Sequence, residues 1–209
     1  MTARRAWLAL LTVSVVWGFG GWLLMSRWVL SSPLVGLLCA GLAWWLSGRG
    51  LPWEPNWRAR GSEYLRATLA GVGAGVLLSA LTSLLFPVVR AQLPAVGESV
   101  AALYSNLYLP VPLALHFGVV AVVGAAEELV WRGPLFKAAA AQQPILAVVA
   151  GSMLYGLAQS GFGQPILVLT AFSLGVCWAL LRLWSGGLLA PILAHAIWQL
   201  SVLFVFPLS

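Results

Sequence analysis

The stretch GVVAVVGAAEELVWRGPLFK, residues 118–137, gathers Glu127, Glu128 and Arg132 inside an otherwise apolar run. On a helix, Glu128 and Arg132 stand four apart in the favourable acid-before-base order and can pair on one face. Glu127 lies about 100° further round the same helix, with no partner at a comparable spacing. One carboxylate is then neutralised, and the other is left in apolar surroundings where it can act as a general base towards water. A charge at the centre of a membrane helix costs about 2.5–3.5 kcal/mol on insertion scales, so an uncompensated one marks function. The spacing leaves one alternative open: all three charges sit at the cytoplasmic end of a span and snorkel to the interface. Gly133-Pro134 interrupts the helix after Arg132 under either reading.

Two further polar groups stand at helical spacing. LLAPILAHAIWQL carries His195 and Gln199 four apart, with Pro191 suited to the first turn of that helix. GSMLYGLAQSGFGQP places Tyr155 and Gln159 four apart, just before a glycine-rich break. His116 has no polar neighbour at helical spacing and reads as structural. Cys39 and Cys177 sit in long apolar runs and read as small buried hydrophobes, not as an oxidised framework. With two histidines, no HExxH and no paired-cysteine spacing, nothing points to a metal, and no nucleotide or redox cofactor is implied.

These residues must be positioned by membrane helices. The chain has 209 residues, 61% of them hydrophobic and only 8% charged. Soluble domains carry about 25% charged residues. The apolar, tryptophan-rich composition excludes disorder. The net charge of +6 does not make a nucleic-acid surface, because the basic residues are scattered between apolar stretches. Hydropathy predicts an all-α, polytopic transmembrane bundle of about seven spans, at about 6–26, 30–48, 65–87, 111–130, 144–160, 164–184 and 188–208. The first is read as a retained helix, because its apolar run is longer than that of a signal peptide and no cleavage site follows.

A cytoplasmic N-terminus puts Arg4, Arg5, Arg49, Arg58, Arg60, Arg66, Arg132, Lys137 and Arg182 inside, against Arg27 and Arg90 outside. That bias accounts for the basic balance and suits a multi-pass protein of a cell (inner) membrane. Trp53 and Trp57 can anchor the loop between spans two and three at the interface. Residues 88–110 are expected to lie along the outer surface as an amphipathic segment. Gly71 and Gly75 form a small-xxx-small face for close helix packing, which fixes no oligomeric state.

Glu127-Glu128-xxx-Arg132, then Tyr155-xxx-Gln159, then His195-xxx-Gln199 after an Ala-Pro-Ile-Leu-Ala run together resemble the CPBP family. These are the CAAX-processing and bacteriocin-processing (ABI) intramembrane endopeptidases, whose pattern is EExxxR, FxxxH and HxxxN. The resemblance covers about residues 105–205. It implies an N-terminal set of transmembrane helices and linking segments over 1–104 and a catalytic core over 105–209. It implies Glu127 as the base that activates water, Glu128 and Arg132 as the pair that holds the site, and His195 as a donor to the oxyanion. Its substrate would be a membrane-associated or lipidated polypeptide, such as one of prenylated CAAX type, reached from the cytoplasmic side.

Two positions depart from the pattern. Gln199 keeps an amide where the third motif has Asn. Gln159 stands where the second motif has His, and an amide can hold a water but cannot exchange a proton with it near neutral pH. If that proton transfer is required, the rate falls about 10²–10⁴-fold. The leading expectation is therefore an intramembrane endopeptidase using a glutamate-activated water. A catalytically impaired pseudoprotease, acting as a membrane scaffold or binding protein, is the alternative. A small transporter with a Glu/Arg/His relay is a third reading, disfavoured because no inverted repeat is visible. The motifs can converge only if they lie at one depth, with the break after Gln159 turning inside the bundle.

Overall fold

A computed structural model describes residues 1–23, 28–48, 61–107 and 112–208. The order of elements is α1 (Ala3–Leu23), α2 (Trp28–Leu46), α3 (Gly61–Gln92), α4 (Pro94–Leu107), α5 (Leu113–Trp131), α6 (Pro134–Ala140), α7 (Pro144–Ala158), α8 (Pro165–Ser185) and α9 (Leu189–Leu200). A 3₁₀ turn, Gln159–Phe162, follows α7, and a π turn, Ser201–Val205, follows α9. No strand occurs among the described residues. The fold is an all-α membrane bundle.

Punctuation follows from proline and glycine. Pro134, Pro144 and Pro165 open α6, α7 and α8 at the first turn, where a missing N–H costs nothing. Gly163 and Gly186 close the 3₁₀ turn and α8 with φ of 68°, a left-handed conformation that suits glycine.

Five helical segments are long and apolar enough to cross a bilayer: Ala3–Leu23, Gly61–Gln92, Ala114–Ala140, Pro144–Phe162 and Pro165–Ser185. The expected seven spans are thus corrected to about five. Two shorter apolar stretches, Ser32–Leu46 within the second expected span and Leu189–Val205 within the seventh, are not counted with the five. The last is cut short because the Ser185–Gly187 turn starts it late and its α-helix ends at Leu200.

Large apolar side chains face outward along these helices, among them Leu38, Leu84 and Ile145, as lipid contact requires. The fourth expected span, 111–130, also changes: the apolar run continues through the Gly133 bend to Ala140. Arg132 and Arg182, counted above with the inside loops, are buried in the bundle and do not belong to a loop count. Arg27, Arg49, Arg58, Arg60, Trp53 and Trp57 lie outside the described residues.

Within the expected amphipathic segment 88–110, the described residues divide between two helices. Its first residues extend α3 to Gln92, and α4 packs against α3 and α8. The hydroxyl of Tyr104 donates to the carbonyl of Val202 and accepts from the amide of Leu208, tying α4 to the C-terminal end. The Gly71/Gly75 face is where α9 comes closest to α3. A Cβ at Gly71 would stand 2.7 Å from the Ala190 carbonyl, and one at Gly75 2.9 Å from that of Ala194.

The α7–α8 turn docks under α1 in the same way: a Cβ at Gly161 would lie 1.8 Å from the carbonyl oxygen of Gly18. Trp17, Trp131, Tyr155, Leu10, Val13 and Cys39 share the main apolar cluster. That cluster forms one wall of the polar centre.

Candidate active site

The polar centre starts at α5. Glu127 is the middle residue of the apolar run Ala114–Ala140, so its carboxylate is set deep by the length of chain on either side. Glu127, Glu128 and Arg132 are 5%, 0% and 1% exposed, which rules out the arrangement in which they snorkel at a span end. Arg132 Nη1 donates to Glu128 Oε1 at 3.3 Å, the pair that the i, i+4 spacing predicts. Buried charges persist only when they are paired and hydrogen-bonded, and this pair is both.

The bend that follows depends on glycine. A Cβ at residue 133 would fall 2.0 Å from the Leu129 carbonyl, so only Gly133 lets α6 fold back against α5. The chain then turns at residues 141–143 and returns as α7. Roughly equal lengths of chain separate Glu127 from that turn and the turn from Tyr155 and Gln159. The hairpin therefore brings all three to one level.

Glu127, which has no partner on its own helix, finds two across the hairpin. Tyr155 donates its hydroxyl to Oε2 at 3.0 Å, and Gln159 Nε2 donates to Oε1 at 2.7 Å. The common depth that convergence of the motifs requires comes from two features. The run around Glu127 extends beyond the bend, and the 3₁₀ turn, with Gln159 buried at its start, packs against α1. Irregular backbone at depth is tolerated where protein covers it.

The third group comes from α9. His195, 3% exposed, places Nδ1 2.8 Å from Glu128 Oε1 and Nε2 3.5 Å from Glu127 Oε2. One imidazole thus bridges the two adjacent glutamates. Gln199, a turn further along, does not join them: its buried Oε1 lies beside Gly124 with no hydrogen-bond partner. His116 is buried and packs edge-on to Phe204, away from the centre. Cys39 is buried in the apolar cluster and Cys177 is half-buried; both are free thiols.

Several residues of this centre were not singled out by spacing. The Arg132 guanidinium lies 4.5 Å from the ring centre of Tyr155, and Trp131 packs on the same ring. Trp131 Nε1 donates to Ser14 Oγ at 3.2 Å, and Trp17 meets its ring edge-on. From α8, Arg182 Nε donates to the Arg132 carbonyl at 2.9 Å and so caps the end of α5 with a cation. Trp178 stacks on His195. The signal was present in the sequence: Gly175, Trp178, Ala179 and Arg182 form one helical row, and these are the buried residues of the second half of α8.

Among the described residues, no group of three or more His, Cys, Asp or Glu side chains is arranged to hold a metal ion. A cleft of about 290 Å³ between the end of α3 and the C-terminal residues, lined by Ser83, Phe86, Arg90 and Phe206, shares no residue with this centre.

The arrangement offers a carboxylate with two neutral donors, a second carboxylate neutralised by arginine, and an imidazole between them. Residues 109–201 match the family model described as type II CAAX prenyl endopeptidase Rce1-like, which agrees with the resemblance carried by the three motifs. No curated protein and no solved structure matches the chain.

Proposed function

With residues 109–201 similar to the Rce1-like CAAX prenyl endopeptidases, we propose that this integral membrane protein is an intramembrane endopeptidase. In this reading it cleaves a peptide bond of a membrane-associated, lipidated polypeptide with a water activated by Glu127. The observation that carries the reading is the convergence of Glu127, Glu128 and His195, which come from two helices far apart in the chain. Glu127 takes a proton from the water, and the resulting hydroxide attacks the scissile carbonyl. The proton then passes from Glu127 to the departing amine. Tyr155 and Gln159 hold the carboxylate in place through its two oxygens.

His195 is anchored at Nδ1 by Glu128, and this fixes the direction of Nε2 towards the Glu127 side of the centre. There Nε2, once protonated so that the ring is an imidazolium, donates to the developing oxyanion, the interaction that usually contributes most to acyl transfer. Arg132 holds Glu128 and thereby the imidazole. Gln199 turns its amide towards the substrate backbone beside Gly124, as a binding group and not as a base. The catalytic core is residues 105–209, with 1–104 as the helices that shield it from lipid. The N-terminus faces the cytoplasm in a cell (inner) membrane, the side from which a lipidated tail arrives.

A second reading is favoured by one residue. Gln159 cannot relay a proton, so the chain would bind such polypeptides as a scaffold without turning them over. The two readings separate in proteoliposomes, with a quenched peptide carrying a prenylated cysteine near its C-terminus. The endopeptidase reading predicts a new amine and a new carboxylate; the scaffold reading predicts saturable binding with the peptide intact.

A further inference from the structure

We propose that Trp178 is a positioning residue for His195: its indole face fixes the imidazole plane so that the two ring nitrogens address the two glutamates. The inference deepens the endopeptidase reading and rests on it for its kinetic part alone. The rings of Trp178 and His195 are stacked, with centroids 5.6 Å apart and planes 19° from parallel. Trp178 is completely buried. Offset stacking of this kind restricts rotation about the last side-chain bond of the histidine, a torsion that is otherwise broad.

The hydrogen bond from the other side makes that restriction matter. Glu128 holds Nδ1 at 2.8 Å, which fixes one point of the ring but leaves it free to pivot. A pivot would swing Nε2 away from Glu127. Stacking removes the pivot, so the carboxylate and the indole together fix both the position and the plane of the imidazole.

A second observation sets the tryptophan apart from ordinary packing. Its Nε1 is buried and has no hydrogen-bond partner. A buried unsatisfied N–H is a cost that phenylalanine at the same place would not carry. The indole is therefore not held there by its polar atom, and what it contributes to the centre is the area of its face. Its neighbours on α8 serve the same centre: a Cβ at Gly175 would stand 2.9 Å from Arg132 Nη2, and Arg182 holds the Arg132 carbonyl.

The test uses the full chain in detergent micelles, with its histidines labelled with ¹⁵N in the imidazole. Only His116 and His195 contribute, and His116→Asn assigns them. The variants are Trp178→Phe, which keeps an aromatic face, and Trp178→Leu, which removes it. In Trp178→Leu the two nitrogen signals of His195 are expected to move towards each other as the ring averages, while those of His116 stay in place. In Trp178→Phe the pattern is retained.

On a prenylated peptide, Trp178→Leu lowers kcat about 10–100-fold with little change in KM, because a displaced donor weakens the transition state more than substrate binding. Trp178→Phe restores most of that loss. Unchanged His195 signals in a folded Trp178→Leu protein overturn the proposal, as does a Trp178→Phe protein that loses the pattern as fully as Trp178→Leu. A wild-type chain that cleaves nothing counts against the endopeptidase reading alone, and the nitrogen signals still decide the role of Trp178.

Discussion

Gln159 Nε2 donates to Glu127 Oε1 across 2.7 Å, although the two residues are 32 positions apart in the chain. The contact ties the one unusual residue of the centre directly to its candidate base. An amide that donates to a carboxylate holds it still without competing for its proton. The structure therefore gives Gln159 a task that needs no titration. Hydrogen bonds to a charged partner contribute about 1.5–3 kcal/mol, so Gln159→Ala is expected to lower kcat roughly 10–100-fold. Gln159→His, which adds a group able to relay a proton, is expected to match or exceed the wild type. Initial rates on a quenched prenylated peptide measure both, and a Gln159→Ala protein as fast as wild type would remove the residue from the mechanism.

Tyr155 supports the other oxygen of Glu127 and also lies under the Arg132 guanidinium. Tyr155→Phe removes the hydroxyl and keeps the ring. It should reduce kcat by about tenfold, in line with one hydrogen bond to a carboxylate, and leave the thermal midpoint nearly unchanged. Tyr155→Leu removes the ring as well and should lower both. Equal effects of the two changes on rate would mean that the hydroxyl is irrelevant.

Removing one partner of the buried pair should cost stability, not only rate. Glu128→Ala leaves Arg132 in the interior without its carboxylate and takes away the anchor of His195. Breaking a buried pair from one side costs about 3–5 kcal/mol. Thermal unfolding in detergent should show a marked fall for Glu128→Ala and a smaller one for Glu127→Gln, which keeps the shape and one of the two acceptor oxygens. The reverse order would contradict the roles assigned to the two glutamates.

The docking of the α7–α8 turn under α1 is tested at a residue outside the chemistry. A methyl group at Gly161 has no room against the Gly18 carbonyl. Gly161→Ala should force the turn away from α1, destabilise the protein by about 1–3 kcal/mol and displace Gln159 with it. Gly73→Ala, on α3 with nothing within 4 Å of the added Cβ, is the control and should be neutral.

The parts of this centre differ in how far they could be read from the chain. The Glu128–Arg132 pair is local, set by one helical turn, and spacing gives it directly. The placement of His195 beside the glutamates followed from family resemblance and not from pattern. The partners of Glu127 depend on matching depths across the α5–α7 hairpin. That match was obscured because Gly133-Pro134 looks like the end of a span, whereas the apolar run bends and continues to Ala140.

Arg182 is hard to place from sequence for a related reason. A cation near the end of an apolar helix reads as a loop charge, but here the Arg132 carbonyl draws it inward. The helical class was plain from composition. The number of spans was not, because the last apolar stretch opens late, at Leu189, and its α-helix ends at Leu200.

The claim on which the rest depends is that Glu127 activates the attacking water. The most direct measurement compares wild type and Glu127→Ala for cleavage of a prenylated peptide in proteoliposomes, with thermal unfolding of both to show that each is folded. The account predicts cleavage by the wild type and a loss of at least about 10²-fold in the variant, the scale of a missing general base. A folded Glu127→Ala protein that cleaves at the wild-type rate would contradict it.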